Sequence, residues 1–338
     1  MTHIDLQNAI YDPKGNPLTY PGEMPDSPVF VIDNKAMTVN ASDHYQSFHL
    51  EDGRDVDSIL LSRGLAPIAE RIAQVAFGAN RNIENLVWKF KHYLAKNRSI
   101  NQELLILPAT IPNAEVVACN IGYWGYVYAG LLTTTSDFNL RKYLMGTQCP
   151  VTLLLLDEEQ MKALHHSEGV MLPGDEQPGV SCKVSDVIAD LSPNLSCSAQ
   201  VYSLAVPFLS FDGHQPVAFE MVKTQNRGNY ETFDQIELFQ RINDVTDAEK
   251  PHLGRLPIAQ SLREKALKLL QQDVLATRRM MQDDFYTSIR ESLSENFKLR
   301  DSDGVIRMGL EDVYSVRDIA KAWHFNPVFN PQLNHSRE

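Results

Sequence analysis

Residues 72–80 read IAQVAFGAN, a short apolar run that stops at a glycine. A run of this length, bounded by a turn residue, is typical of a buried strand. In the following residues the apolar side chains recur at helical spacing, and they are Ile83, Leu86, Val87, Phe90 and Leu94. The sequence therefore predicts a strand, a glycine turn and a helix, in that order.

The turn FGAN at residues 77–80 is the first candidate for chemistry. A glycine after a strand permits a positive φ and allows a ligand to approach the backbone closely. Amide groups at the turn and at the start of the next helix can point at one spot, which suits a carboxylate or a carbonyl oxygen. A plain strand-to-helix turn without a ligand explains the same four residues, and both interpretations stay open here.

The second candidate is LHHSEG at residues 164–169. It follows a predicted buried strand, VTLLLL at 151–156, and closes a predicted short helix at 158–167. A carboxylate at the end of a helix and beside a glycine, here Glu168, can point into a pocket and serve as a general acid and base. The alternative is a solvated glutamate at a helix end.

The remaining patterns predict an α+β fold in three parts, because strand runs are followed by helix runs. Residues 1–69 are rich in turn formers and predict an extended arm, with a short strand at 29–32 and a helix at 58–70. Residues 70–230 form the β-rich middle domain, with further strands predicted at 104–107, 116–121, 126–132, 180–187 and 199–206. Residues 231–338 predict a helical region, in which Ser261 and Glu264 have the spacing of a capping box.

Composition excludes several classes of protein. The 338 residues carry 31 Lys and Arg against 43 Asp and Glu, a net charge of −12, and no basic run, so nucleic-acid binding is not expected. No segment reaches the roughly 18 apolar residues of a membrane helix, and residues 1–15 lack the apolar core of a secretory signal. Four cysteines without CxxC spacing indicate reduced thiols in a cytoplasmic protein.

Taken in order, these motifs resemble the γ-glutamylcyclotransferase-like family. Members begin with a strand ending in Tyr-Gly-Ser-Asn and a helix with a characteristic leucine, to which FGAN at 77–80 and Leu86 are similar. Their later signature, Leu-Asp-x-x-Glu-Gly, is similar to LHHSEG at 164–169, and DEEQM at 157–161 resembles the turn into that helix. Between them, GYWGY at 122–126 falls where members carry a glycine- and aromatic-rich segment. The resemblance covers about residues 70–225.

The resemblance implies a small mixed β-barrel flanked by helices and an enzyme that cleaves γ-glutamyl amides. In that reaction the α-amine of the substrate attacks its own γ-carbonyl, which releases 5-oxoproline and an amine or amino acid. By this carry-over Glu168 is the acid and base. The substrate contacts are Phe77, Gly78, Ala79 and Asn80, together with Tyr123 and Tyr126, which can either stack on the substrate or pack in the barrel core. The expected partner is a small γ-glutamyl-type molecule, with no cofactor, metal, nucleic acid or membrane implied.

Three positions depart from the family pattern. Phe77 and Ala79 replace a tyrosine and a serine, so two hydroxyls are missing, and His165 replaces the aspartate. A non-catalytic binding module on the same fold is therefore a second hypothesis. A third is a cysteine-dependent acyltransferase or amidase that uses Cys119 or Cys182 with a distant histidine. The adjacent pair His165 and His166 does not have the i, i+4 spacing of a zinc pair.

Overall fold

The computed structural model describes residues 3–6, 19–93, 100–121, 127–134, 141–168, 182–204, 208–212, 215–243 and 328–333. The strands in these ranges are β1 (His3–Asp5), β2 (Val29–Ile32), β3 (Lys35–Ala41), β4 (Phe48–Leu50), β5 (Ile72–Ala76), β6 (Leu104–Pro112), β7 (Ala114–Ile121), β8 (Val127–Thr133), β9 (Gln148–Leu156), β10 (Cys182–Ser192), β11 (Leu195–Leu204), β12 (Ala218–Phe219), β13 (Thr232–Phe233) and β14 (Gln332–Leu333). The α-helices are α1 (Val56–Ser62), α2 (Ile83–Tyr93), α3 (Arg141–Leu144), α4 (Glu158–Ser167) and α5 (Gln235–Asn243), and two 3-10 helices lie at Ile68–Glu70 and Ala79–Arg81.

Five strands close into a barrel in the order β6, β10, β11, β5 and β9, and β9 pairs again with β6. Strands β11 and β5 run parallel, whereas the other four barrel pairs are antiparallel. The barrel is therefore mixed, and the predicted α+β fold with a small mixed β-barrel is confirmed. A second sheet has the order β13, β12, β7 and β8.

Side chains on β9 alternate between two hydrophobic clusters. Val151, Leu153 and Leu155 belong to the cluster shared by the barrel interior and the second sheet. Leu154 and Leu156 point the other way, into a cluster that helices α2 and α4 cover. Because successive side chains of a strand face opposite sides, a strand that is apolar at every position is buried on both faces.

The N-terminal arm adds strands to the barrel sheet. Strand β2, predicted at residues 29–32, pairs with β6, and β3 pairs in turn with β1, β2 and β4. Strand β14, near the other end of the chain, pairs with β11. The predicted division at residues 69 and 230 stays a prediction.

Two sequence predictions about helices have different outcomes. The continuous helix predicted at 58–70 is wrong: α1 ends at Ser62, Gly64 has a φ of 71°, and Pro67 precedes a separate 3-10 turn. A glycine with positive φ just after the last helical residues is a common helix stop, and Pro67 then disfavours helical backbone at Ala66. In the helical C-terminal region α5 is described, whereas Ser261 and Glu264 lie outside the described residues. No helix in the described ranges is long and apolar enough to cross a membrane.

A buried ion-pair network fastens the second sheet to the barrel. Glu115 on β7 is 0% exposed and accepts hydrogen bonds from Arg227 Nε at 2.7 Å, Tyr230 Oη at 2.6 Å and Thr224 Oγ1 at 2.7 Å. The loop that carries these three partners exchanges two backbone hydrogen bonds with β9, between Gln148 and Gln225. The carboxylate is fully satisfied, as a buried charge must be to remain stable.

Candidate functional site

The glycine turn after β5 packs against the N-terminal arm. Gly78 has a φ of −91°, so the expected positive φ is wrong. A Cβ at this position would instead lie 2.9 Å from the Tyr20 hydroxyl, and that close approach is what requires glycine. The hydroxyl is fixed there because it accepts a 2.8 Å hydrogen bond from the Ala129 amide. The contact with Tyr20 thus explains why residue 78 is a glycine, and the local sequence pattern does not reveal this contact.

The two sequence motifs meet at a hydrogen bond. Asn80 Nδ2 donates to Glu168 Oε1 at 2.7 Å, across 88 residues of sequence. Asn80 lies on the 3-10 helix that follows Gly78, and Glu168 follows the last residue of α4, which packs against α2. The side chain of Glu168 is 24% exposed, so the carboxylate is half-buried and accessible.

Lys89 is a third member of this cluster, and sequence reasoning missed it. Its Nζ lies 2.5 Å from Glu168 Oε1, and the residue is only 8% exposed. A lysine between apolar positions on an amphipathic helix usually faces solvent, so the pattern of α2 carried no signal for this contact. Asn80, Lys89 and Glu168 together form what we term the carboxylate cluster.

The amides of Ala79 and Asn80 open the 3-10 helix and have no acceptor within it, because the first N–H groups of a helix lack intrahelical partners. They make no hydrogen bond to another residue in the described ranges. Phe77 and Ala79 are 7% and 8% exposed and pack in the interior cluster. The expected substrate cradle is therefore apolar in its side chains and polar only through its backbone and Asn80.

His165, which replaces the family aspartate, lies on α4 one turn before Glu168. Its Nδ1 is 2.7 Å from the Tyr202 hydroxyl, and the residue is 0% exposed. Burial lowers the pKa of His165 to about 4, and the neighbouring Glu168 carboxylate opposes that shift in part. At neutral pH the imidazole is uncharged. It therefore holds the end of α4 against Tyr202 without adding charge to the site.

Other predicted contributors lie outside this cluster or outside the described residues. Tyr123 and Tyr126 are among the residues that the structure does not describe, and so is the side chain of Cys182. Cys119 is buried, and burial raises the pKa of its thiol to about 12, which disfavours a thiolate nucleophile. No group of three or more potential metal ligands occurs within the described ranges.

These features define an α+β barrel protein with a half-buried carboxylate beside a glycine turn. Solved structures to which the chain is similar are one described as a gamma-glutamyl cyclotransferase and one of an uncharacterized protein from Homo sapiens. Each is 12% identical with a TM-score of 0.27, over 41% of this chain and 69% of the other. A TM-score this low establishes no shared activity, and the barrel rests on its own strand pairing. No family model and no curated protein matches the chain.

Proposed function

We propose that this chain is a cytoplasmic γ-glutamylcyclotransferase-like enzyme that releases 5-oxoproline and an amine or amino acid from a γ-glutamyl amide. The supporting observation is the 2.7 Å hydrogen bond that joins Asn80 to Glu168. It unites the glycine turn and the helix-end glutamate, which were selected separately from the sequence. A general acid and base must come within hydrogen-bond reach of the group it serves, and this contact meets that requirement for a substrate seated at the turn.

In the proposed reaction Glu168 takes a proton from the α-ammonium group of the substrate. The freed amine attacks the γ-carbonyl carbon, its nitrogen loses a second proton as the lactam forms, and the C–N bond to the leaving group breaks. Glu168 passes the two protons in turn to the leaving nitrogen, which departs as an ammonium group. The attack is intramolecular, so holding the glutamyl chain folded supplies much of the acceleration. The amides of Ala79 and Asn80 are suited to stabilise the developing oxyanion, because they make no hydrogen bond to other described residues.

The test is 5-oxoproline release from a panel of γ-glutamyl amines and peptides, measured for the wild type and for Glu168→Gln. Glutamine keeps an oxygen that can accept from Asn80 and Lys89, but it cannot accept and return a proton. We expect turnover to fall by about 100- to 10,000-fold. The midpoint of thermal unfolding is expected to fall as well, because Lys89, which is 8% exposed, loses its counter-charge, and circular dichroism at the assay temperature checks that the variant is folded. The matched control is Glu159→Gln on the same helix, whose side chain is 55% exposed, and it retains full turnover.

Two results would contradict this proposal. Full turnover by folded Glu168→Gln would show that Glu168 is not the acid and base. No release from any member of the panel by the folded wild type would remove the γ-glutamyl substrate class.

A non-catalytic binding module is the second candidate, and a specific observation favours it. Glu168 forms an ion pair with Lys89, and Tyr20 occupies the side of Gly78 where a ligand would approach. A carboxylate already neutralised by a lysine can contribute to binding without transferring protons. This candidate predicts saturable binding of γ-glutamyl amides, and no product, by both wild type and Glu168→Gln.

A further inference from the structure

Two arginines are almost fully buried in the barrel region, and their surroundings differ. Arg71 is 0% exposed and donates to the backbone oxygens of Ala66 at 3.0 Å, Glu103 at 2.9 Å and Leu155 at 3.3 Å, and to Gln160 Oε1 at 3.3 Å. These bonds tie together four separate segments of the chain. Arg71 is therefore a structural arginine whose Nε and Nη1 are used by the fold, while its Nη2 has no hydrogen-bond partner among the described residues.

Arg81 is 3% exposed, yet its Nε and Nη1 have no hydrogen-bond partner among the described residues. Its backbone groups are used: the amide donates to the Gly78 oxygen at 3.0 Å, and the backbone oxygen accepts from Thr152 Oγ1 at 3.1 Å. Two titratable groups interact electrostatically with Arg81, the Cys149 thiol and the Tyr20 phenol. Burial raises the pKa of the Cys149 thiol to about 12, so it stays neutral and supplies no counter-charge.

A guanidinium in this situation is costly for the folded state. Removing a cation from water is unfavourable unless an anion and hydrogen-bond acceptors replace the water. Burial lowers the pKa of Arg81, although the free guanidinium is so basic that the group remains charged. A fold that keeps such a residue without using its donors is typical of a site whose missing acceptors come from a ligand.

The same 3-10 turn contains a second unused polar atom. Asn80 Oδ1 is buried and has no donor within the described ranges, while Nδ2 of the same side chain donates to Glu168. The orientation of the amide is fixed by this contact, since a flipped amide would place its oxygen against the carboxylate. One short turn thus offers two free donors on Arg81 and a free acceptor on Asn80.

We propose that Arg81 binds the carboxylate of a small amino-acid-type ligand that enters beside the glycine turn. A guanidinium makes strong charge-assisted hydrogen bonds to a carboxylate, and the Nε and Nη1 donors of Arg81, which lie on different edges of the group, are both available for such a bond. The α-carboxylate of a γ-glutamyl substrate is the group that the proposed function would place here. The inference that the ligand is a γ-glutamyl compound rests on the proposed function, whereas the inference that it carries a carboxylate does not.

The test compares two probes that differ only in a carboxylate, 5-oxoproline and 2-pyrrolidinone, by calorimetric titration of the full chain. We expect wild type to bind 5-oxoproline, Arg81→Met to bind it about tenfold more weakly or worse, and neither protein to prefer 2-pyrrolidinone. Equal affinity of wild type and Arg81→Met for 5-oxoproline would overturn the inference. A third probe, glutarate, separates the two proposals: Arg81-dependent binding of glutarate without binding of 5-oxoproline keeps the carboxylate site and removes the γ-glutamyl class.

Thermal unfolding without ligand gives a second, independent readout. Methionine removes the buried charge at little cost in volume, so Arg81→Met is expected to unfold at a higher temperature than wild type. Arg71→Met is the matched control and is expected to unfold at a lower temperature, because it strips donors from four segments. A comparable fall in the unfolding temperature of both variants would show that Arg81 is a structural residue and would overturn the inference. Failure of wild type to bind any of the three probes in the titration would overturn it as well.

Discussion

His165 is a buried, uncharged imidazole, and its environment makes the stability of the protein depend on pH. Burial lowers the pKa of His165 to about 4 in the folded chain, against an ordinary value of 6.5. Between these two values the unfolded chain binds more protons than the folded one, so the free energy of unfolding falls as pH decreases from 6.5 towards 4. The expected loss from this residue is about 3 kcal/mol across that window.

Urea denaturation at pH 7 and pH 4.5 measures this loss. Replacing His165 with asparagine keeps a polar contact for Tyr202 and removes the titrating group, so the difference between the two pH values is expected to shrink. His49, whose side chain is 46% exposed, is the control position, and His49→Asn is expected to leave the difference unchanged. A pH dependence identical in wild type and His165→Asn would show that other groups control acid stability.

Single residues also show where sequence reasoning stops. Glu168 and Asn80 were predicted because short motifs mark them, and the structure brings them into contact, while their proposed roles remain predictions. Lys89 and Arg81 were not predicted, because lysine and arginine side chains normally lie in solvent. Their burial follows from tertiary packing, which a local pattern does not encode.

At the scale of elements, the N-terminal arm and the glycine turn are packed directly against each other. We expect Gly78→Ala to lower the free energy of unfolding by about 1–3 kcal/mol, because the added Cβ would overlap the Tyr20 hydroxyl. Tyr20→Phe removes that hydroxyl and leaves only the ring carbon Cζ, at 3.8 Å from the Cβ position. It also loses the hydrogen bond from the Ala129 amide, at a cost of about 1 kcal/mol.

A double-mutant cycle in chemical denaturation separates these effects. Gly78→Ala is expected to cost clearly less in the Tyr20→Phe background, which gives a coupling energy of about 1 kcal/mol. The control background is Tyr45→Phe, whose hydroxyl lies 3.4 Å from the Leu191 oxygen, and there the cost of Gly78→Ala is expected to stay the same. Additivity in both backgrounds would show that the arm does not constrain the turn.

The elements themselves were predictable where hydrophobic periodicity is strong. The strand at 72–77 and the helices at 82–94 and 158–167 correspond to β5, α2 and α4 with boundaries that agree within two residues in the described ranges. Strands β3 and β4 were missed. Strand β3 (KAMTVNA) mixes apolar and polar residues without strict alternation, and β4 (FHL) has only three residues, so both depend on pairing, β3 with β2 and β4 with β3. Strands β12 and β13 were missed for the same reason, because each has only two residues and is defined by pairing with a partner strand.

At the scale of the whole molecule, the Glu115 network holds the second sheet and the barrel together. Glu115→Gln keeps the side-chain volume but leaves Arg227, whose side chain is 16% exposed, without a counter-charge. Breaking one partner of a buried ion pair leaves an uncompensated charge, so we expect the free energy of unfolding to fall by about 3–5 kcal/mol. Guanidinium chloride titration followed by circular dichroism measures the change.

The matched control is an exposed ion pair on the same molecule. Arg63, with a side chain 35% exposed, bonds Asp33 and Glu103, and Arg63→Ala is expected to cost less than about 1 kcal/mol. Similar costs for Glu115→Gln and Arg63→Ala would mean that the buried network adds nothing beyond a surface contact. A larger cost for Arg63→Ala would place the critical electrostatic contact in the arm instead.

The closed barrel is the feature of the whole molecule that local patterns could not supply. Seven strand-like runs were predicted between residues 72 and 206, but their order around the barrel depends on pairings such as that of Gln200 on β11 with Gln74 on β5, which lie more than 120 residues apart. The hydrophobic run of β9 indicates burial on both faces and is compatible with several topologies. Only the resemblance to a known family, and not periodicity, predicted a barrel.

The contact between Tyr20 and Gly78 has a consequence for any ligand that uses the glycine as its seat. Such a ligand competes with a side chain of the same polypeptide for one small volume. The apparent affinity is then the intrinsic affinity multiplied by the fraction of molecules in which the arm has withdrawn. Because the arm is covalently tethered, its effective concentration at the turn is constant, and diluting the protein does not relieve the competition.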